Sequence, residues 1–244
     1  RRSWLCFDLT MRADKIGLYV HIPFCVRKCA YCDFCSFTPD KYPDKSEYVD
    51  ALCREISSYR DRAIAIDTVF FGGGTPSLLT SDELERIINA IRDSFSVSEN
   101  SEITMEVNPK TLRAEYLSGY LSLGVNRVSI GLQSIHENEL KILGRIHSYS
   151  DFLNTYNALR SSGFDNINVD LMYGIPEQTV KSFEKTLDTV ISLNPNHISC
   201  YGLIVEEGTP FYENREILPF PDEDSECDMY ELAHEKFTCA GYSH

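Results

Sequence analysis

Four thiols crowd the stretch HIPFCVRKCAYCDFCSF over residues 21–37: Cys25, Cys29 and Cys32 in the spacing C-x3-C-x2-C, then Cys35. Cysteines at such intervals are ligands for soft metal centres. A structural zinc site draws its ligands from two knuckles separated by a longer stretch, whereas these four fall within eleven residues. A single loop of this kind suits an iron–sulfur cubane, which accepts thiolates from closely spaced positions. Counting leaves open whether three or four thiols take part. Four would close the cluster as an electron-transfer centre, and three would leave one iron for an outside ligand.

Other residues in the chain have the chemistry to hold such a ligand. FFGGGTPSLL (70–79) runs into Gly72, Gly73 and Gly74, then Thr75. A tight turn accounts for the glycines on its own, and no Gly-Lys-Ser/Thr follows to make a phosphate loop. Without Cβ atoms these glycines can also bring main-chain groups close to a ligand. Glu106 in TMEVNP, Gln133 in SIGLQS, Arg145 in LGRIHS and Asp170 in NVDLMYG stand at or just after strand ends. Singly, each fits a hydrogen-bonded buried polar group. Together at one end of a parallel β architecture they form a binding set, and Arg145 is suited to bidentate carboxylate recognition.

The elements that must position these residues alternate along the chain. Strands are expected at 17–22, 67–71, 102–107, 125–131, 167–174 and 197–205. Helices are expected at 46–61, 81–95, 111–124, 179–193 and 225–241, with two short ones flanking GRIHS. In the second helix Ser81 is the expected N-cap, and Leu84, Ile87, Ile88 and Ile91 share one face. Six strand–helix units demand parallel strands with helical crossovers. Runs such as DTVFF are nearly all apolar, which predicts cover on both faces of the sheet. An open doubly wound sheet and a barrel fit equally, and in either the functional residues gather after the strand C-termini. Residues 1–16 read as an N-terminal appendage and 17–244 as the core. The stop at GYSH reads as truncation before a further C-terminal region.

Bulk composition narrows the classes. A hydrophobic fraction of 43% is enough for a sizeable core, and the net charge of −14 argues against nucleic acid as a partner. No apolar run approaches the roughly 20 residues that span a bilayer. With no secretory signal and an odd count of nine cysteines, a disulfide framework is not expected and the compartment reads as the reducing cytoplasm.

CVRKCAYC, with an aromatic residue before its third cysteine, resembles the cysteine loop of the radical S-adenosylmethionine (SAM) superfamily. LYVHIPFC, CAYCDF, FFGGGTPS, GVNRVSIGLQS, LGRIHS and DLMYGIPEQT occur in order from Tyr19 to Thr179. That combination is similar to the oxygen-independent coproporphyrinogen III oxidase group, in its HemW-like heme-chaperone branch. The resemblance implies an α/β fold, a partial TIM-like barrel of six βα units, (β/α)6. It implies that Cys25, Cys29 and Cys32 hold three irons of a [4Fe-4S] cluster while SAM chelates the fourth through its amino and carboxylate groups. In that superfamily an electron from the cluster breaks a sulfonium C–S bond and yields a 5′-deoxyadenosyl radical. It makes Tyr19, Tyr31, Gly73, Gly74, Thr75, Glu106, Gln133, Arg145 and Asp170 the SAM-binding residues, and Cys35 an accessory thiol.

The true oxidases of the group usually place a further cysteine as C-x-C after the third, whereas Asp33 and Phe34 intervene here, as in the chaperone branch. The implied function is a protein that binds the cluster, SAM and heme as cargo, and passes heme to an acceptor protein. The implied partners are heme or a porphyrinogen, that acceptor, and a low-potential electron donor such as flavodoxin or ferredoxin. His21, His147 and His197 have the chemistry of axial heme ligands. Two other functions stay open at this level: a coproporphyrinogen III oxidase or other heme-modifying radical SAM enzyme, and a ferredoxin-like electron carrier using all four thiols.

Overall fold

The computed structural model describes residues 16–41 and 44–243. The expected N-terminal appendage lies outside them except for Ile16, which opens the first strand. Strands β1 (Ile16–Ile22), β2 (Ala65–Gly73), β3 (Ser96–Val107), β4 (Arg127–Gln133), β5 (Asn166–Tyr173) and β6 (His197–Gly202) are each followed by helix. The helices are α1 (Lys45–Ser57), α2 (Ser81–Ser94), α3 (Ala114–Ser122), α4 (Glu137–Ile142), α5 (Tyr149–Ser162), α6 (Val180–Ser192), α7 (Pro210–Glu213) and α8 (Glu223–Cys239). None of the described helices is long and apolar enough to cross a membrane.

Strand order settles what rhythm could not. Every pairing is parallel, and the sheet runs β1-β2-β3-β4-β5-β6 without reversal. A doubly wound sheet must reverse its order at a switch point. Sequential order with right-handed crossovers instead sends every helix to the same side. The result is the (β/α)6 partial barrel: an arc left open, with no pairing of β1 to β6 among the described residues.

One face of the arc, here the outer face, packs under the helices. Val20, Ile22, Val69, Phe71, Met105, Ile130, Val169 and Leu171 join helix residues such as Ile87, Leu117, Phe152 and Phe183 in one buried cluster. Strand side chains alternate between faces, so Thr104, Glu106, Ser129, Asn168 and Asp170 fall on the opposite, inner face. The expectation of apolar cover on both faces is therefore corrected. Helices cover one face only, and the other carries a polar ladder. Phe70 of DTVFF is the exception that suggested otherwise; it lies on the inner side, stacked on Tyr19 at 6.0 Å.

Local signals set the boundaries. α2 is capped by Thr80, not Ser81: Thr80 Oγ1 accepts from the Glu83 N–H at 3.2 Å, and the Thr80 N–H donates back to Glu83 at 2.8 Å. This reciprocal box satisfies two amides that the first turn leaves without partners. The Leu84, Ile87, Ile88 and Ile91 stripe is buried as expected. The helix after GRIHS is not short but runs fourteen residues.

Candidate functional site

The cysteine loop springs from the C-terminal end of β1 and is closed at its base. Phe24 and Phe37 form a parallel bridge, the Cys25 N–H donates to the Phe37 carbonyl at 2.9 Å, and the Phe37 N–H donates to Pro23 at 2.7 Å. Its middle is tied across the end of the sheet. The Ala30 N–H donates to Leu143 at the end of α4, and the Phe211 N–H in α7 donates to the Ala30 carbonyl. Backbone bonds thus hold the loop over the strand ends in one place.

Beneath it lies a cavity of about 310 Å³, within the range of small-molecule sites. Every sequence-expected site residue except Tyr19 lines it: Cys25, Cys29, Cys32, Tyr31, Gly73, Gly74, Thr75, Glu106, Gln133, Arg145 and Asp170. Tyr19 is on the inner side of β1, 56% exposed, and shares a 3.2 Å hydrogen bond with His21 Nδ1. Cys35 is exposed and not part of the lining; its carbonyl bonds to His21 Nε2 at 2.7 Å.

Gly73 and Gly74 line the cavity, but the need for glycine comes from the protein itself. Gly73 has φ +110°, and a Cβ there would sit 2.5 Å from the His21 ring; one at Gly74 would meet the Phe24 carbonyl at 2.7 Å. The close approach is between strand β2 and the root of the cysteine loop. Gln133 pays a conformational cost of the opposite kind. It ends β4 at φ +70°, where the pairing with β5 shifts register, a device that re-aims a side chain beside a site. Its amide oxygen accepts from Tyr201 Oη at 3.1 Å.

Asn108 and Tyr201 are cavity residues that the sequence reading missed. Asn108 donates to Thr75 Oγ1 at 2.9 Å and accepts from Arg145 Nη2. Arg145 also donates from Nη2 to the Gly131 carbonyl at 2.7 Å and from Nη1 to Cys29 Sγ at 3.6 Å. Thr75 in turn donates to Cys25 Sγ at 3.8 Å. A continuous chain of hydrogen bonds therefore joins two of the thiols through Thr75, Asn108 and Arg145. With both Nη2 hydrogens committed, Arg145 does not offer the open fork expected of it; it places positive charge beside a sulfur instead.

The opposite wall is acidic. Burial first, and then the Asp170 charge, push the Glu106 carboxyl up to about 7 against a hydrogen bond from the Gly73 N–H. Burial also raises Asp170, opposed by donors from Asn168 and Ser129. A cationic group placed here would be met by carboxylates that its own charge helps to ionise. Burial raises the Tyr31 hydroxyl and the Cys32 thiol as well.

All three histidines with heme-ligand chemistry have a ring nitrogen in a hydrogen bond within the protein, His197 through Nδ1 to Asn168. His21 holds the Cys35 carbonyl, and His147 is buried and bonded through Nε2 to the Leu132 carbonyl at 3.2 Å. Burial and the nearby Arg145 lower His147 to about 3, so it stays neutral.

The donor set fits a cubane better than a lone ion. Among the described residues no three His, Cys, Asp or Glu side chains converge on one ion. A cubane takes each thiolate on a separate iron, so its ligands need only surround a common space. Cys25, Cys29 and Cys32 do that.

Residues 19–190 match the model of the radical SAM superfamily. The chain is 38% identical over 235 residues to the heme chaperone HemW of Synechocystis sp., covering 93% of this chain and 57% of that protein. It is likewise 38% identical over 236 residues to HemW of Escherichia coli, covering 95% and 61%. Among solved structures, coproporphyrinogen III oxidase (HemN) from Escherichia coli, described as a radical SAM enzyme, superposes with a TM-score of 0.85 at 29% identity. That match covers 94% of this chain and 54% of the other. The chain spans about three fifths of the length of these curated relatives. With its cysteine loop, its six-stranded arc and the match over residues 19–190, it belongs to the radical SAM superfamily.

Proposed function

We propose that Cys25, Cys29 and Cys32 carry a [4Fe-4S] cluster, that SAM occupies the cavity against it, and that the protein is a heme chaperone that takes heme as cargo to an acceptor protein. The observation that carries this reading is the division of the thiols: three border one cavity faced by Glu106, Asp170 and Arg145, while Cys35 does not line it. When bound, the cluster would supply an electron at low potential and one iron open to a small ligand. The chain's own residues set its surroundings. Arg145 and Thr75 donate to the Cys29 and Cys25 sulfurs, and hydrogen bonds to cluster sulfurs tune potential. Glu106 would meet a cationic group of the ligand, and Asp170 and Gln133 would offer acceptors for hydroxyl or amine groups. The reading places the protein in the cytoplasm, with residues 17–244 as its core domain and flavodoxin or ferredoxin as the class of electron donor.

The chaperone reading draws support from the HemW relatives and from Phe34 standing where the oxidases place a further cysteine. The likeness to HemN favours the second reading, a coproporphyrinogen III oxidase. Anaerobic reconstitution of the full-length protein separates these and the ferredoxin-like alternative. Iron and sulfide should count to one cubane, Cys35→Ser should keep it, and SAM should shift its electronic spectrum. Loss of the cluster in Cys35→Ser with no response to SAM would leave the electron carrier. Consumption of coproporphyrinogen III with matching SAM turnover would replace the chaperone with the oxidase.

A further inference from the structure

At the cavity wall, the inner face of β4, β5 and β6 carries a polar cluster that ties Asp170 of the expected SAM set to Ser129, Asn168, Ser199 and His197, which that set does not include. Strand register assembles it: Ser129 is level with Asn168, Asn168 with His197, and Asp170 with Ser199. Asn168 Nδ2 donates to Asp170 Oδ1 at 2.7 Å and to Ser129 Oγ at 2.7 Å. Ser129 Oγ donates to the Asp170 carboxylate at 3.1 Å. On its other side Asn168 Oδ1 accepts from Ser199 Oγ at 3.1 Å and from His197 Nδ1.

Only one orientation of the Asn168 amide satisfies this set. Turned over, its carbonyl oxygen would face a carboxylate oxygen at the same short distance. His197 must then carry its proton on Nδ1. The three groups form a directional line in which His197 N–H holds the Asn168 oxygen, and the Asn168 N–H holds Asp170. Asn168 is 1% exposed, so an unpaired or reversed amide there could not turn to water for relief. His197 at the far end is exposed, and its position contributes little to the core.

We propose that His197 and Asn168 are positioning residues that fix the Asp170 carboxylate for the nucleoside end of SAM, an inference that rests on the cavity being the SAM site. A buried carboxylate with two donors on its inner side keeps its remaining lone pairs aimed outward into the cavity. The ligand then meets a preset acceptor and no rotamer has to be ordered on binding.

The test measures SAM affinity by equilibrium dialysis on the anaerobically reconstituted full-length protein. It is paired with the side-chain amide resonances of Asn168 in the ligand-free state and with thermal unfolding. His197→Ala should weaken SAM by about fivefold to tenfold, the worth of one neutral hydrogen bond, with its melting temperature within about 2 °C of the native chain. The Asn168 amide resonances should move. His197→Asn returns an N–H near the Nδ1 position and should restore affinity to within about twofold. Ser199→Ala removes the other donor to the same oxygen and should weaken binding in the same direction. Native affinity in both His197→Ala and Ser199→Ala overturns the proposal. Asp170→Asn distinguishes the two levels: if it weakens SAM and His197→Ala does not, the positioning role alone fails. If Asp170→Asn binds SAM as the native chain does, the site reading falls and the proposal with it.

Discussion

On β4, Ile130 is fully buried among helix side chains, while its neighbour Ser129 meets Asp170 and Asn168 of the next strand. The outer face needs only apolar volume, and many residues could supply it. The inner face needs particular donors opposite particular acceptors. Because side chains alternate, a slip of one residue would send the polar set outward and the apolar set inward. The outer face, with its many interchangeable contacts, therefore fixes the register that the inner face cannot enforce alone.

Four substitutions sharpen that contrast. Phe71→Ala, at a fully buried outer position, should cost about 3–5 kcal/mol in denaturant unfolding; a cost below about 1 kcal/mol would mean the outer face is not the source of stability. Glu106→Gln on the inner face should act with the opposite sign. Its carboxyl titrates near 7 in the folded chain against an ordinary 4.5, so the folded state holds that proton longer than the unfolded one. The carboxyl thus costs nothing below pH 4.5, progressively more up to about 7, and its full penalty above. Glu106→Gln should therefore stabilise the ligand-free protein by up to about 3 kcal/mol at pH 8 and leave it unchanged at pH 4. The same titration should weaken SAM binding by the native chain as pH falls through about 7. Gly73→Ala should destabilise by about 2 kcal/mol, since it adds a Cβ at a left-handed φ and against the His21 ring; the His21 ring resonances should shift with it. Smallest is Thr80→Ala, which opens the α2 capping box at about 1 kcal/mol and should leave SAM affinity untouched.

How far the sequence was legible follows the same division. The helix stripe Leu84, Ile87, Ile88 and Ile91 was readable because its period is local, and the cysteine loop because its ligands sit within one short segment. Thr80 was overlooked although Glu83 stands three residues on, the spacing of a capping box. Asn168 and Asp170 alternate in NINVD, and His197, Ser199 and Tyr201 alternate in HISCY, so each strand shows a polar side. Which polar residue meets which is decided only by register between strands, and no single segment contains that information. Arg145 and Asn108, far apart in the chain, bond across the site for the same reason. Sheet against barrel was undecidable because strand order is a property of the whole chain.

The arc stops at β6, so among the described residues His197–Gly202 and Ile16–Ile22 each keep one flank of main-chain amides and carbonyls unpaired with a neighbouring strand. Neither segment carries the lysine or proline that usually blunts such a border. A stretch of extended polypeptide laid along either seam would find its hydrogen-bonding partners already spaced to receive it.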